Sequence, residues 1–305
     1  MGLTVVALGG NALLRKGERG TAAEQRANLA STFEEIAPLL RDGQLVLTHG
    51  NGPQVGNELL RQELGAAEAP QLPLYLAVAQ TQAEIGALMA AELPPVAGRD
   101  AVVLLTRVVV AADDPAFENP TKPVGPFYDE TKARELEGGR GWTLTEDSGR
   151  GWRRVVPSPK PIEILELESI RRLLDGGSIV VAAGGGGIPV VRRGGRIDGV
   201  DAVIDKDLAS ALLATGLGAK HLLILTQVPS VYRGFDTGER EAVAELRPGR
   251  DDAILQELPA GSMRPKVQAA FDFVSATGGR ATITSADAIR DGGAGTVVVP
   301  ESAAS

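Results

Sequence analysis

The stretch "QLVLTHGNGPQVG" (residues 44–56) joins a short apolar run to a glycine-rich turn and then to a segment with helical spacing. Pro53 suits the first position of a helix, so the stretch predicts a strand that passes into a helix beginning near that residue. The glycines follow the pattern G-x-G-x-x-x-G, which is longer than the dinucleotide-binding fingerprint. The turn is therefore either an altered cofactor loop or a cradle for a smaller ligand.

Two other apolar runs lead into glycine-rich turns, "VVALGGNAL" (5–13) and "IVVAAGGGGIPVV" (179–191). The carboxyl ends of parallel strands meet at one edge of a sheet, so the three turns together predict one shared site. Glycine lets backbone N–H groups approach a ligand, and a following helix N-terminus adds a partial positive charge. Each turn alone is equally explained as a tight turn. Asn11 and Asn51 favour an anion receptor, because they add amide donors at matching places.

Apolar runs of strand length alternate with segments of period 3.6, which indicates an α/β fold with a parallel sheet. Most runs are apolar throughout, as in strands covered on both faces. The predicted strands are 3–8, 44–48, 101–110, 178–183, 222–226, 281–284 and 296–299. Further helices are predicted at 74–93, 162–175, 205–215 and 265–276. Another helix is predicted between the first two strands: it ends at Gly43, and its buried face carries Leu29, Phe33, Ile36 and Leu40.

Residues 112–160 interrupt the sheet pattern with Pro, Gly and charged residues. Five of the aromatic residues of the chain lie in this segment, namely Phe117, Phe127, Tyr128, Trp142 and Trp152. A long segment with its own aromatic residues predicts a small excursion with its own core rather than a linker. The alternative is an insertion without a role in function.

Three lysines lie beside turns or helix starts: Lys122 in "NPTKPVGPF" (119–127), Lys206 in "AVIDKDLAS" (202–210) and Lys266 in "PAGSMRPKVQAA" (259–270). The default explanation of each is a solvated surface lysine. Phosphoryl transfer, however, requires cations around the moving group and in-line positioning rather than a covalent group. Asp207 then either holds Lys206 in place or caps the helix that opens there, and its spacing fits both roles.

Composition excludes several classes of function. The net charge of −8 and the scattered basic residues argue against nucleic acid as a partner. The absence of Cys removes thiolate metal sites and nucleophiles, and the presence of only two His, His49 and His221, makes a histidine metal site improbable. No P-loop or G-x-G-x-x-G motif occurs, and no stretch predicts a signal peptide or a membrane span, so we expect a cytoplasmic protein.

Taken in order, eight segments resemble the successive sequence blocks of the carbamate kinases, a branch of the amino acid kinase family. The resemblance runs from about residue 4 to about residue 299, and the blocks at 119–127 and 147–164 are more specific than the glycine turns. The segments are "VVALGGNAL", "HGNGPQVGN", "NPTKPVGPF", "DSGRGWRRVVPSPKPIEI", "GGGGIPVV", "AVIDKDLAS", "LILTQV" and "GSMRPKVQAA".

The resemblance implies a fold and an activity. Carbamate kinases interconvert ATP plus carbamate with ADP plus carbamoyl phosphate, and they use Mg2+ that is held mainly through the nucleotide phosphates. They are homodimers with a three-layer αβα sandwich, a largely parallel central sheet of about eight strands and a small protruding subdomain. By resemblance, residues 1–305 form a single amino acid kinase domain. Residues 1–175 then form the carbamate-binding half, with the subdomain at about 112–160, and residues 176–305 form the nucleotide-binding half.

The resemblance also implies roles for individual residues. The phosphate-contacting lysines of the family match Lys122, Lys206 and Lys266, and the carboxylate that organises them matches Asp207. The cradle for carbamate and the transferring phosphoryl group matches Gly9, Gly10, Asn11, Gly50, Asn51 and Gly52. Nucleotide contacts match Lys206, Thr226, Tyr232, Ser262, Met263 and Lys266.

The chain departs from the wider family at the first glycine pair, where many members carry a preceding Lys and this chain has "TVVAL" (4–8). Lys122 is expected to supply that charge when the subdomain closes, and His49 is expected to shape its turn without moving protons. The alternatives are another amino acid kinase that acts on a small carboxylate, such as an N-acetylglutamate kinase, and a nucleotide sensor without catalysis. Nucleotide preference and physiological direction are not determined by these residues.

Overall fold

The computed structural model describes residues 2–15, 17–146, 151–234, 240–259, 261–293 and 295–301. The sequence block at 147–164 is therefore described only from residue 151, and residues 235–239 after Tyr232 lie outside the described residues. The strands are β1 (Thr4–Leu8), β2 (Leu45–His49), β3 (Ala101–Val103), β4 (Arg107–Val110), β5 (Lys122–Tyr128), β6 (Thr143–Glu146), β7 (Trp152–Val156), β8 (Pro161–Ile164), β9 (Ile179–Val181), β10 (Ile188–Arg193), β11 (Arg196–Gly199), β12 (His221–Leu225), β13 (Val231–Arg233), β14 (Glu241–Val243), β15 (Glu245–Leu246), β16 (Arg280–Thr284) and β17 (Thr296–Val298).

Helices alternate with strands over part of the chain, as the sequence predicts, but β3–β5, β6–β8, β9–β11 and β12–β15 follow one another without an intervening α-helix. The helices are α1 (Ala22–Glu35), α2 (Ala37–Arg41), α3 (Gly52–Leu64), α4 (Leu74–Ala97), α5 (Glu130–Arg140), α6 (Leu167–Asp175), α7 (Lys206–Leu217), α8 (Ile254–Glu257), α9 (Met263–Thr277) and α10 (Ala286–Arg290). Pro53 occupies the first turn of α3, which confirms the predicted helix start. Within the described ranges, no helix combines the length and the apolar character that crossing a bilayer requires.

The central sheet has eight strands in the order β15-β17-β16-β12-β1-β2-β9-β3. Its pairs are parallel except for β16 with β17. The prediction of a largely parallel sheet of about eight strands is therefore confirmed. Parallel order brings the carboxyl ends of β1, β2, β9 and β12 to one edge, where the three glycine turns begin.

The core lies on both faces of this sheet. Along β1, Val5 and Ala7 belong to one buried cluster, and Val6 and Leu8 belong to another, because successive side chains point to opposite faces. Helices α6, α7 and α9 cover the first face, and α1, α2 and α4 cover the second. The two covered faces give the three layers of the αβα sandwich.

The predicted strand at 101–110 is wrong as a single element. The structure divides it into β3, which pairs with β9 in the central sheet, and β4, which pairs with β8 and β10 in a separate sheet of four strands. Gln82 of α4 holds the intervening Thr106, accepting from its N–H at 2.9 Å and donating to its carbonyl at 3.2 Å. The polar pair Thr106 and Arg107 interrupts the apolar run at this point, but the contact with Gln82 forms only in the folded chain.

The predicted helix at 162–175 is also wrong in its first part. Residues Pro161–Ile164 form β8, and α6 begins only at Leu167. Strand β8 pairs antiparallel with β4, and Glu166 then accepts from both the N–H and the Nε of Arg107 at 2.7 Å. Pairing with a distant strand therefore overrides the helical spacing of the local sequence.

The predicted helix between the first two strands is interrupted. Leu29, Phe33, Ile36 and Leu40 are all fully buried, as expected, but α1 ends at Glu35 and α2 begins at Ala37. Pro38 lies in the first turn of α2, and proline removes a helix hydrogen bond and clashes with the preceding turn. The chain therefore leaves helical geometry at Ile36, restarts the helix at Ala37 and keeps the same buried face.

The excursion at 112–160 contains the three-stranded sheet β5-β7-β6 and the helix α5. Its small core consists of Ala133, Leu136 and Leu144, with Tyr128, Trp142 and Trp152 packed against it. Two further aromatic residues of the segment lie elsewhere: Phe117 packs on the main core, and the side chain of Phe127 is exposed. The excursion is the small subdomain that the fold prediction includes.

Stacked arginines support this subdomain, because its apolar core is small. Arg134 lies 4.6 Å from the ring centre of Trp152, and Arg154 lies 4.5 Å from that of Trp142. The positive guanidinium group is attracted to the negative face of the ring. The hydroxyl of Tyr128 donates to Glu63 of α3 at 2.9 Å, which attaches the subdomain to the main body of the protein.

Candidate functional site

A cavity of about 460 Å³ lies at the carboxyl edge of the central sheet. All three glycine turns reach it, together with the start of β5, the start of α7 and the start of α9. The sequence-predicted residues among its lining are Gly9, Gly10, Gly50, Asn51, Gly52, Lys122, Lys206, Asp207, Thr226, Tyr232, Ser262, Met263 and Lys266. Segments that are far apart in sequence therefore meet in one concave site.

The glycines of the turns fall into two groups. A Cβ on Gly9 would lie 2.6 Å from the carbonyl oxygen of Leu225, and one on Gly185, whose φ is +63°, would lie 2.1 Å from Asn51 Nδ2. Gly9 therefore lets the first turn pack on the end of β12, and Gly185 lets the third turn pack on the second. A Cβ on Gly10 or Gly52 would meet nothing within 4 Å. The missing side chains at Gly10 and Gly52 therefore leave space from which a ligand can approach the backbone.

The sequence places Asn11 and Asn51 at matching points of two turns, but the structure places them beside different cavities. Asn51 is buried beside the cavity, and its Nδ2 donates to Thr81 at 2.8 Å. Asn11 does not line the main cavity; it faces a neighbouring cavity of about 290 Å³ and accepts from Gln227 Nε2 at 2.6 Å. Of the six residues expected in the cradle, Asn11 is thus the one that the structure does not place with the others.

Asp207 lies between two lysines at the centre of the site. Its two carboxylate oxygens accept from Lys206 at 2.6 Å and from Lys266 at 2.8 Å, and its side chain is only 4% exposed. Burial alone would raise the pKa of Asp207, but the two ammonium groups outweigh burial and hold that pKa well below its ordinary value. The carboxylate is therefore ionised and fixes both cations.

Asp205, rather than Asp207, caps helix α7. Its carboxylate accepts from the N–H of Asp207 at 2.9 Å, and its other oxygen accepts from Lys122 at 2.9 Å. The capping role left open for Asp207 is therefore wrong. The prediction from sequence also misses Asp205, although the signal is present: a carboxylate stands directly before a helix, in a run of three charges that interrupts an apolar segment.

Two buried hydroxyl groups support the backbone at Lys206. Ser210 donates to the carbonyl of Lys206 at 2.6 Å, and Thr48 of β2 lies 2.7 Å from the Ser210 hydroxyl. Burial lowers the pKa of Lys206, and the nearby Asp207 opposes that shift. The ammonium group is thus held on a rigid helix start whose position is tied to the neighbouring strand.

Apolar side chains line the cavity as well as charged ones. Thr226, Tyr232, Ser262 and Met263 are among its lining residues. Val228, Leu258, Pro259 and Pro265 also line it, and no sequence motif marks them. A cavity with both charged and apolar lining suits a ligand that carries a phosphate chain on an aromatic base.

His49 lies beneath the glycine turns and takes no part in the charged cluster. It is 1% exposed, and its Nδ1 donates to the carbonyl of Gly50 at 3.0 Å. A Cβ on Gly184 would lie 2.3 Å from its Nε2, so the ring fills the space that Gly184 leaves. Burial, with a smaller contribution from the charge of Lys206, lowers the pKa of His49 to about 4. The imidazole is therefore neutral near pH 7.

The lowered pKa of His49 predicts a loss of stability in mild acid. Below pH 6.5 the unfolded chain takes up a proton that the folded His49 does not, so the free energy of unfolding falls as the pH drops towards 4. The slope reaches about 1.4 kcal/mol per pH unit for this residue. Denaturant unfolding at pH 7 and pH 5 should show a smaller pH difference in His49→Gln than in the unchanged protein. An equal pH difference in both proteins would contradict the assignment.

Comparison with known proteins shows the family. Residues 2–285 match the model of the amino acid kinase family. The chain belongs to this family. The carbamate kinase of Halobacterium salinarum is 46% identical to the amino acid kinase described here, over 98% of this chain and 99% of the relative.

Solved structures give the same result. The carbamate kinase of Giardia lamblia bound to AMP-PNP superposes on this amino acid kinase with a TM-score of 0.91 at 39% identity, covering 98% of this chain and 99% of that chain. The same enzyme thiocarbamoylated by disulfiram on a cysteine superposes with a TM-score of 0.88 at 40% identity, covering 98% and 99%. This amino acid kinase is a phosphotransferase, and the cavity that gathers its lysines and glycine turns is the candidate active site.

Proposed function

We propose that the chain catalyses reversible phosphoryl transfer between ATP and carbamate, giving ADP and carbamoyl phosphate. The observation that carries this proposal is the convergence of Lys122, Lys206 and Lys266, through Asp205 and Asp207, on an open glycine cradle. Relatives named carbamate kinase that match almost the whole chain support the choice of acceptor.

The chemistry needs no strong base. In the forward direction, an oxygen of carbamate forms a bond to the γ-phosphorus of ATP, while the bond from that phosphorus to the β,γ-bridging oxygen breaks and ADP leaves with the electron pair. Carbamate is already an anion, so no proton has to be removed first. This agrees with a cavity lined by neither His nor Cys among the described residues.

The residues of the site supply position and positive charge. Gly10 and Gly52 expose backbone to the small planar acceptor, and the three lysines neutralise charge that spreads over the equatorial oxygens of the moving phosphoryl group. Asp207 keeps Lys206 and Lys266 at fixed separation before the substrates arrive. This is catalysis by preorganisation, and the lysines make no covalent bond.

Magnesium fits this site as a companion of the nucleotide. Among the described residues, no cluster of three or more His, Asp or Glu could hold a metal ion. Both oxygens of Asp207 and both oxygens of Asp205 already accept hydrogen bonds. Mg2+ commonly binds through substrate phosphates with few protein ligands, and there it neutralises the β- and γ-oxygens. We therefore propose that it is held mainly by the nucleotide.

We further propose that the two halves of the chain bind different substrates. Residues 1–175 hold carbamate, because Gly10 and Gly52 leave open space beside their backbone. Residues 176–305 hold the nucleotide, because Tyr232 and Met263 line the cavity from that half. The subdomain at about 112–160 delivers Lys122 from β5 and completes the charged cluster when it closes.

One coupled assay tests the proposal directly. The chain is mixed with ADP, carbamoyl phosphate and Mg2+, and ATP formation is followed with a luciferase readout. Steady formation that requires carbamoyl phosphate supports the proposal. Acetyl phosphate and N-acetylglutamyl phosphate serve as competing donors, and faster turnover of the latter would favour the other amino acid kinase activity. ADP binding in calorimetry without any turnover would favour a nucleotide sensor.

The cysteine content gives a second expected result. The chain has no Cys, so disulfiram has no thiol to thiocarbamoylate. We expect turnover to be unchanged, and the intact mass to be unshifted, after incubation with a large excess of disulfiram. The Giardia lamblia enzyme, which is modified on a cysteine, is the positive control. Inhibition of this chain under the same conditions would show that disulfiram acts through another group.

We also propose that the chain forms a homodimer, as the resemblance implies. Strand β3 ends the central sheet, and the outward face of the adjacent helix α4 carries the exposed small residues Ala83, Ala87 and Ala91. A second copy would cover this edge. Sedimentation velocity should give twice the monomer mass, and Ala87→Arg should reduce that mass to one chain if α4 lies in the contact.

A further inference from the structure

We propose that Asp205 is a positioning residue that fixes Lys122 of the subdomain over the charged cluster in the cavity, and this inference rests on the proposed function. Lys122 Nζ lies 2.9 Å from Asp205 Oδ2, although the residues are 83 positions apart. Lys122 opens β5 in the subdomain, whereas Asp205 directly precedes α7 in the main body. The pair is therefore a direct link between the two parts.

The two oxygens of Asp205 have different functions. Oδ1 accepts from the N–H of Asp207 and caps α7, and Oδ2 accepts from Lys122. Because α7 begins with Lys206 and Asp207, one carboxylate sets the position of Lys122 relative to the cluster of Lys206, Asp207 and Lys266. A change at Asp205 therefore alters the spacing of the three cations, even though Asp205 need not touch the reacting atoms.

The pair is sheltered but open to a ligand. The Asp205 side chain is 15% exposed and that of Lys122 is 34% exposed, and both line the cavity. Within the described part of the chain, Asp205 is the carboxylate that lies within ion-pair distance of Lys122. An ammonium group has three N–H donors, so Lys122 keeps its contact with Asp205 while it donates to a phosphoryl oxygen.

The variant Asp205→Asn separates the two functions. Asparagine caps helices as well as aspartate does, so α7 and the folded state should be retained. Its amide has no negative charge, and an –NH2 group at the place of Oδ2 cannot accept from Lys122. We expect an unchanged melting temperature and unchanged KM for ADP, with kcat lower by about 10- to 100-fold from misplacement alone. Asp205→Ala should lose the cap as well and melt at a lower temperature.

A double-mutant cycle with Lys122→Met tests whether Asp205 acts through Lys122. If it does, adding Asp205→Asn to Lys122→Met causes no further loss of kcat. Two outcomes would overturn the inference: a further tenfold or greater loss of kcat in the double variant, or a shift in Mg2+ dependence that Asp205→Asn still causes in the presence of Lys122→Met. Either outcome would mean that Asp205 acts on the substrates or on the metal itself. An unchanged kcat in Asp205→Asn alone would overturn the inference as well.

Hydrogen exchange gives a readout that does not depend on activity. Backbone amides across residues 119–125 should exchange faster in Asp205→Asn and in Lys122→Met, and to the same extent in both, because each removes one end of the link. Lys132→Ala, which removes an exposed subdomain lysine paired with Glu135, is the matched control and should leave this segment unchanged. Absence of turnover in the unchanged protein would refute the proposed function, whereas equal exchange in all variants would refute the positioning role.

Discussion

Replacement of Lys206 by Ala should lower kcat by a factor of about 10²–10³ or more, the largest loss of activity expected from one side chain in this protein. A preorganised cation in a water-excluded site contributes about 3 kcal/mol or more to transition-state stabilisation. Lys206 meets these conditions, since its side chain is 13% exposed and Asp207 holds its ammonium group at 2.6 Å. The reverse reaction, from ADP and carbamoyl phosphate to ATP, provides the measurement.

A second variant distinguishes the charge of Lys206 from its packing. A Cβ on Gly50 would lie 3.5 Å from Lys206 Cδ, so the aliphatic stem packs on the glycine turn. Lys206→Met keeps much of this stem and removes only the ammonium group, and it should lose as much kcat as Lys206→Ala. Lys220→Ala, at an exposed lysine after α7, should be unaffected. Near-normal turnover of Lys206→Met would remove the cation from the mechanism.

The parts of the site that the sequence predicts are those encoded locally. The geometry of a strand that ends in glycines and leads into a helix depends on its local sequence. The three turns and the α/β class can therefore be predicted from residues 5–13, 44–56 and 179–191. Parallel order then requires those turns to share an edge. The structure confirms this, because all three turns line one cavity.

The parts that sequence reasoning misses depend on contacts between distant segments. Lys206 adjoins Asp207 in the sequence, but Lys266 lies 59 positions away from it. No local rule brings Lys266 to this carboxylate, and only the family resemblance predicts that the three residues act together. The sequence does not single out Asp205, because a carboxylate that only caps a helix and one that also holds a lysine have the same local sequence pattern. The break in the run at 101–110 depends on Gln82, whose side chain reaches Thr106 only in the folded state.

The arrangement of charges explains why the site can be both stable and reactive. Three cations in one cavity repel one another, and each buried ammonium group is costly without a partner. Asp207 serves Lys206 and Lys266, while Asp205 serves Lys122. Two carboxylates therefore leave the cluster with one net positive charge, which suits a transferring phosphoryl group that brings negative charge of its own.

Removal of the central carboxylate should therefore damage stability as well as catalysis. In Asp207→Asn, two buried ammonium groups face each other across a neutral amide, and breaking a buried pair in this way costs about 3–5 kcal/mol of unfolding free energy. Turnover should fall as well, by about 10²-fold or more, since Lys206 and Lys266 lose their common anchor. Asp291→Asn, at an exposed carboxylate paired with Arg290, should leave stability essentially unchanged, because solvent screens an exposed ion pair.

The stability loss in Asp207→Asn should also shrink as the pH rises. Burial already lowers the pKa of Lys206, and Asp207 is the main group that opposes the shift, so its removal lowers that pKa further. Above the lowered pKa the folded variant binds fewer protons than the unfolded chain, and its free energy of unfolding therefore increases with pH until the ordinary lysine pKa is reached. Guanidinium unfolding at pH 7 and pH 9.5 measures this. A variant as stable as the unchanged protein at pH 7, or one that gains nothing at pH 9.5, would show that Lys206 does not depend on Asp207 for its charge.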